Sequence, residues 1–331
     1  MESNTPVHAA GRPSRRLMWA ASAMLVAATS ASLLPSSAVA EGTLASGAPV
    51  VPQATLVGWA TQNGGTTGGA GGSTVTVDTT SELTSALRQS GPLVIQVSGT
   101  INLSGMNDVA SNKTVVGLSG ATITGGGLDV DGVRNVIIQN LTFRGWGDDA
   151  INVQNGSTNV WIDHNTFSDG YDGAVDIKRE SDFITVSWNH IFNHEKSMLL
   201  GHSDGHTADQ GNLRVTYHHN WFDGSDTRHP RVRFGDPVHV YNNYYNGNEY
   251  GVASTMGAGV LVEGNYFENV EDTALVGYAD SDPGDIVARN NHLVNSGAPQ
   301  TAGSVNSIPY SYALDPAANV KSIVTAGAGA S

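Results

Sequence analysis

The sequence predicts an all-β fold, a right-handed single-stranded parallel β-helix whose N-terminal end is closed by a short helix. Three observations carry that prediction. Seven short apolar runs, at residues 135–140, 159–165, 184–189, 214–220, 239–243, 260–265 and 286–291, each end on or beside an asparagine. The closing residues Asn140, Asn165, Asn189, Asn220, Asn243, Asn265 and Asn291 are 25, 24, 31, 23, 22 and 26 positions apart. One strand signature per repeat, at a period in the twenties, means a solenoid whose coils stack strand on strand. Composition agrees, because 40 glycines and only 14% charged residues suit many short strands separated by turns.

The asparagines have a physical role as scaffold. Neighbouring coils sit about 4.8 Å apart, so a column of side-chain amides can bond coil to coil inside a tight turn. Asparagine also tolerates the left-handed backbone that such a turn requires.

The elements follow in order. Arg12, Arg15 and Arg16 precede an apolar stretch from Leu17 to Leu34, and Ala38-Val39-Ala40 offers a small-residue cleavage site. Residues 1–40 therefore read as a secretory signal peptide, with an extracellular mature protein, although Arg15-Arg16 leaves the export route open. Residues 41–57 are low in complexity, and the β-helix domain is expected over 58–331. The glycine-rich stretch 64–72 reads as a loop wrapped against the first coils. Residues 74–78 alternate as a strand. Residues 81–88 have helical apolar spacing behind Thr80 or Ser81 as cap, which predicts the helix that closes the open end. Coil-like runs begin at 93–97 and 114–116, and the pattern fades after about Val294.

Charge narrows the function. Without residues 1–40 the chain keeps 13 basic and 29 acidic residues, a net charge of −16, which argues against a nucleic-acid partner. No later apolar segment is long enough to span a membrane, cysteine is absent, and a monomer held together without disulfides is expected. Seven of the 13 basic residues nevertheless lie between Lys178 and Arg233, which reads as a focused anion site on an acidic protein.

Register turns this pattern into chemistry. Asp149 lies nine residues past Asn140, Asp172 seven past Asn165, Lys196 seven past Asn189 and Arg228 eight past Asn220. Offsets so similar in successive coils put these four residues in one row. Two carboxylates on stacked coils repel strongly unless a cation lies between them. A bend at Asp172-Gly173 adds Asp176 as a third carboxylate. Three aspartates without cysteine or histidine on the row suggest a hard, oxygen-bound cation, and an open site suits Ca²⁺ better than Mg²⁺. The pairs Asp163-His164 and His218-His219 fall inside the repeat and read as scaffold. His202 and His206 show no zinc-site pattern, and Lys178, Arg179 and Arg214 read as surface or structural.

Five ordered segments then carry a family resemblance: Val160-Trp-Ile-Asp-His164, Asp172-Gly-Ala-Val-Asp-Ile-Lys178, Val186-Ser-Trp-Asn189, Tyr217-His-His-Asn220 and Arg228-His-Pro-Arg-Val-Arg233. Together they resemble the pectate lyases of polysaccharide lyase family 1, over about residues 58–291. The resemblance implies a secreted enzyme that cleaves polygalacturonate by β-elimination. It implies Asp149, Asp172 and Asp176 as calcium ligands, Lys196 and Arg233 on substrate carboxylates, and Arg228 as the base that removes the proton. Arg231 belongs to the same basic cluster and is expected to help attract the polyanion. One departure stands out, because some relatives have a further aspartate where this chain has Gly147, with Asp148 beside it. An arginine base is unusual, since guanidinium is protonated at ordinary pH.

Other readings have their own signatures. A polygalacturonase hydrolyses with paired carboxylates, but its habitual Gly-His-Gly and Arg-Ile-Lys segments are replaced here by Gly201-His-Ser203 and Asp176-Ile-Lys178. A pectin lyase needs no calcium, which leaves the aspartate row unexplained. A carbohydrate-binding β-helix needs no Arg-x-Pro-x-x-Arg segment in register with that row.

Overall fold

The computed structural model describes residues 55–331. The expected signal peptide, residues 1–40, and most of the segment 41–57 fall outside the described residues. Among the described residues three parallel sheets of ten, eight and nine strands lie side by side, and each coil between the two ends contributes one strand to each sheet in turn. This is the parallel β-helix that the repeat predicts.

Side chains alternate across each strand, so every second residue points into the solenoid and meets its counterparts in the coils on either side. In the ten-stranded sheet Ile138, Ile162, Val186, Tyr217, Val240 and Val262 form one such column in register, all fully buried. In the nine-stranded sheet the column is aromatic. Phe143 stacks on Phe167 at 5.3 Å, and Tyr245 sits between Phe222 at 5.0 Å and Phe267 at 4.3 Å. Burying each such side chain stabilises the fold by roughly 1.5–3 kcal/mol.

The asparagine column forms as expected from Asn165 to Asn291. Each amide donates to the Oδ1 of the next, with Asn189 to Asn220 and Asn220 to Asn243 both at 3.0 Å. Two details differ from the sequence reading. The left-handed residue is the one before each rung, namely His164, Trp188, His219, Asn242, Gly264 and Asn290, with φ of 50 to 64°. Asn140 is one of these left-handed residues (φ 54°) and not a rung. The rung position of its coil is Leu141, whose N–H donates to Asn165 Oδ1 at 3.1 Å. Asparagine favours both positions for different reasons, and sequence alone does not separate them. Counted from Leu141, Asp149 lies eight residues on, matching Arg228.

The ends also differ in detail. Helix α1 spans Thr80–Arg88, and its N-cap is Thr79, not Thr80 or Ser81. The Thr79 hydroxyl exchanges hydrogen bonds with Glu82, a capping box, while Leu83, Ala86 and Leu87 are buried against the first coils. The segment 58–72 is not confined to the first coils. It runs across the outer face of the ten-stranded sheet, from Thr216 and Thr185 through Asn159 and Asn135 to Thr114. Packing also begins before Gly58, since the Val57 carbonyl accepts the Thr185 hydroxyl at 3.1 Å.

Beyond Val294 the chain turns back along the solenoid, which fading periodicity does not predict. The Tyr310 hydroxyl bonds Thr216 and His239, Tyr312 donates to Glu263, and helix α2 (Val320–Gly327) buries Val320 and Val324 beside Tyr244. These terminal segments lie on the ten- and nine-stranded sheets. The charged row lies on the eight-stranded sheet and the loops that lead into it.

Candidate active site

Each coil enters the eight-stranded sheet through a loop, and stacking the coils stacks the loops. Asp148 and Asp149 precede the strand Ile151–Gln154, Asp172 precedes Val175–Ile177, Lys196 precedes Leu199–Leu200, and Arg228 precedes Arg231–Arg233. Asp176 lies within its strand, opposite Asn152. The row expected from register is therefore one continuous surface.

Carboxylate oxygens of Asp148, Asp149 and Asp172 all lie within 4.8 Å of one another. Asp148 thus joins the two aspartates singled out from register. Asp176 stands just behind this group, held by the Leu199 N–H at 3.1 Å. Gly173 permits that closeness. A Cβ at this position would lie 2.1 Å from Asp176 Oδ1 and 3.0 Å from Asp149 Oδ1, so no other residue fits between the two carboxylates.

The cations are interleaved with the acids. Arg228 Nη1 donates to Asp172 Oδ1 at 3.1 Å and to Asp176 Oδ2 at 3.4 Å, Lys196 Nζ is 3.6 Å from Asp172, and Lys178 Nζ is 3.3 Å from Asp149. Lys178 is therefore part of the acidic cluster and not a bystander. Burial pushes the Asp149 carboxyl up against the pull of Lys178. Asp176 is pushed up to about 7 by burial, with the charge of Asp149 adding to it and Arg228 and Lys178 opposing. Burial makes charge on both carboxylates costly, and a bound cation would offset that cost.

Arg228 adopts a left-handed backbone, φ 67°, with its N–H fixed on the Tyr250 hydroxyl at 2.8 Å. That conformation turns the chain just before the strand Arg231–Arg233. Two buried histidines secure the loops behind the row. His194 Nε2 bonds the Lys196 carbonyl at 2.8 Å, and His229 bonds the Tyr250 carbonyl and Ser225. Burial pushes the His229 imidazole down to about 3, so it stays neutral.

Arg231 and Arg233 follow on the next strand. Arg233 Nε donates to Asp204 Oδ1 at 2.6 Å, a partner that register from the asparagines does not single out. Asp204 belongs to the longest repeat, the 31-residue spacing between Asn189 and Asn220, and that extra length is the only signal that marks it. Tyr171, with 73% of its surface exposed, overhangs the row 5.7 Å from Lys196 Nζ.

The remaining basic residues and histidines serve the scaffold. Arg214 pairs with Asp182 and lies over the Phe183 ring. His164 bonds Asp163 at 2.7 Å and stacks on Trp188, while His219 bonds Asp315 at 2.9 Å. His206 approaches Glu180 and Asp209, an arrangement not foreseen from spacing, but Asp209 is fully buried and already accepts the N–H groups of Glu180 and His202. An apolar-walled cavity of about 640 Å³ lies on the ten-stranded sheet, lined by His164, Trp188 and His218 among others. It contains none of the predicted site residues. The open charged row is the better candidate because acid, cation and strained backbone converge there.

Known proteins resemble the chain in sequence and fold. The family model described as pectate lyase matches residues 22–331. The chain is 42% identical over 299 residues to a pectate trisaccharide-lyase of Bacillus licheniformis, covering 83% of this chain and 86% of that protein. It is 43% identical over 238 residues to pectate lyase plyB of Emericella nidulans, covering 68% and 72% respectively. A solved pectate lyase from Bacillus sp. N165, in complex with trigalacturonate, superimposes with a TM-score of 0.72 at 34% identity, over 83% of this chain and 98% of that one. By fold and sequence the chain belongs to the pectate lyase family, and it is a polysaccharide lyase.

Proposed function

We propose that this lyase is exported and cleaves α-1,4-polygalacturonate by calcium-dependent β-elimination, releasing 4,5-unsaturated oligogalacturonides. The observation that carries the reading is the convergence of Asp148, Asp149 and Asp172 within 4.8 Å, with Arg228 and Lys196 both on Asp172. An all-oxygen donor set with no cysteine or histidine suits calcium. Asp149, Asp172 and Asp176 are the ligands proposed from register, and Asp148 occupies the place beside them. Bound there, calcium would supply fixed positive charge against the uronate carboxylate. The trigalacturonate complex of the similar Bacillus enzyme supports an oligogalacturonate substrate.

Elimination removes the C5 proton, forms the C4=C5 double bond and breaks the bond from C4 to the bridging oxygen, which leaves with the electron pair and is then protonated. The C5 proton is acidic only because it adjoins the C6 carboxylate, so stabilising negative charge on that carboxylate lowers the barrier. Lys196, Arg231 and Arg233 would hold substrate carboxylates and orient the sugar ring. Arg228, at the centre of the row, would accept the C5 proton in its neutral guanidine form. In this structure Arg228 and Lys196 are engaged by Asp172. Once the charge of those carboxylates is met by a cation, both side chains can turn to substrate. The test is an assay on polygalacturonate that follows ultraviolet-absorbing unsaturated product: a hydrolase or a binding protein makes none.

A further inference from the structure

We infer that Asp204 is a positioning residue for substrate binding: it fixes the Arg233 guanidinium so that the free edge faces the galacturonate carboxylate, and Ser281 extends the same restraint to Arg231. This rests on the reading of Arg233 as a substrate-carboxylate ligand. The network is continuous. Asp204 Oδ1 accepts Arg233 Nε–H at 2.6 Å, and its Oδ2 accepts the Ser281 hydroxyl at 2.7 Å. Ser281 Oγ in turn accepts Arg231 Nη2–H at 2.7 Å. The chain Arg233–Asp204–Ser281–Arg231 thus ties the strand Arg231–Arg233 to two separate loops, 201–214 and 277–284.

Its donor arithmetic leaves room for substrate. Arg233 uses Nε on Asp204 and one Nη1 proton on the Gly201 carbonyl at 3.3 Å, and its Nη2 protons have no partner among the described residues. A guanidinium gripped through Nε has little rotational freedom left, and its terminal edge is the face that pairs with a carboxylate. Without the grip, Arg233 would have to give up side-chain entropy on binding each substrate.

The loop is built for this purpose. Gly201 passes so close to Arg233 that a Cβ there would lie 2.6 Å from the Arg233 Cβ. Further along, Asp209 ties the loop back to the solenoid through the N–H groups of Glu180 and His202. On the other side Ser281 is held by its bridge to Tyr278, whose ring lies 5.0 Å from the Arg231 guanidinium. Hydrogen bonds from Arg233 and Ser281 hold the Asp204 carboxyl below its ordinary range, so it is an anion throughout the working pH. An anion beside a polyanion site opposes binding by charge alone, so its presence favours a gain from orientation over one from electrostatics.

The experiment measures kcat and KM on polygalacturonate with calcium for wild type, Asp204→Ala, Asp204→Asn, Arg233→Ala and the double variant Asp204→Ala/Arg233→Ala. Asp204→Ala should raise KM about tenfold with kcat changed less than about twofold. Asp204→Asn keeps an oxygen for Arg233 Nε–H and should recover KM to within about threefold of wild type. In the Arg233→Ala background, Asp204→Ala should have no further effect on KM. A lower KM for Asp204→Ala would make its carboxylate a competitor of substrate and overturn the inference, as would an unchanged KM or an effect that survives without Arg233. Should Asp204→Ala fail to give the wild-type far-ultraviolet circular dichroism, the Asn variant decides alone, and KM more than about tenfold above wild type there contradicts the proposal. Absence of unsaturated product from the wild type would instead count against the lyase substrate reading.

Discussion

Arg228 Nη1 lies 3.1 Å from Asp172 Oδ1, so the proposed base and a proposed metal ligand are paired with each other. The two residues are 56 positions apart in sequence and two coils apart in space. Their pairing explains how one site can carry both signs of charge in a chain of net charge −14. Each sign is the counter-ion of the other until substrate and cation arrive.

Arg228→Lys follows from this pairing. The lysine keeps the charge at the site but not the planar fork or its reach to Asp172 and Asp176. Steady-state kinetics should show kcat reduced about 10²- to 10⁴-fold, the usual contribution of a general base, with polymer binding retained. A loss below about tenfold would make Arg228 a binding residue.

Substrate charge gives a second expectation. Lys196, Arg231 and Arg233 are cations placed to meet carboxylates, and methyl esterification removes those partners. The kcat/KM ratio should fall steadily across a series of pectins of rising esterification. A preference for highly methylated pectin would fit a pectin lyase instead.

The asparagine column makes a prediction about stability. In Asn220→Ala the Asn189 amide and backbone N–H lose their shared acceptor, and the Val186 carbonyl loses its donor, all within a fully buried turn. Each orphaned group costs about 1–3 kcal/mol, so urea denaturation should show a loss of about 3 kcal/mol or more. Activity per folded molecule should change little, because the rung is remote from the charged row.

Much of this was legible in the sequence, for a physical reason. A solenoid writes its geometry as a period, so equal offsets from a repeated asparagine place residues side by side. Asp149, Asp172, Lys196 and Arg228 could be aligned in this way without a structure. What the period does not encode is contact across loops. Asp204 and Ser281 sit in connections of irregular length, and no offset links them to Arg233. The error at Asn140 has the same root: rung and left-handed positions are adjacent, both accept asparagine, and only the hydrogen bonds separate them. The C-terminal return leaves no signal in the sequence because its anchors, Tyr310, Tyr312 and α2, pack on the outside of the solenoid and carry no period.

That return supplies a pH prediction. Burial alone pushes the Glu263 carboxyl up, but hydrogen bonds from His239 at 2.9 Å, Arg289 at 2.6 Å and Tyr312 at 2.6 Å outweigh it and hold it down at about 2. Burial pushes the His239 imidazole down against the pull of Glu263, and its other ring nitrogen lies 2.9 Å from the Tyr310 hydroxyl. The folded value lies below the unfolded one, near 4.5. This stabilisation is therefore complete above about pH 4.5 and lost as pH falls through about 2. Glu263→Gln should lower stability by about 1–3 kcal/mol at neutral pH. The Tm gap between wild type and variant should close as pH falls from about 4.5 to about 2 in thermal melts.

The central claim is that a cation held by the aspartate row enables elimination on a uronate polymer. The most direct measurement follows unsaturated product from polygalacturonate while a chelator is added and calcium is then restored, with far-ultraviolet circular dichroism recorded on the same samples. The account predicts that product formation stops with chelator, resumes with calcium, and that the solenoid spectrum is unchanged throughout, because the three sheets and the asparagine column do not depend on the ion. In Asp172→Ala, which removes the carboxylate bridging the acidic group to Arg228 and Lys196, calcium should restore little or nothing. Undiminished turnover in excess chelator, or full calcium-restored activity in Asp172→Ala, would contradict it.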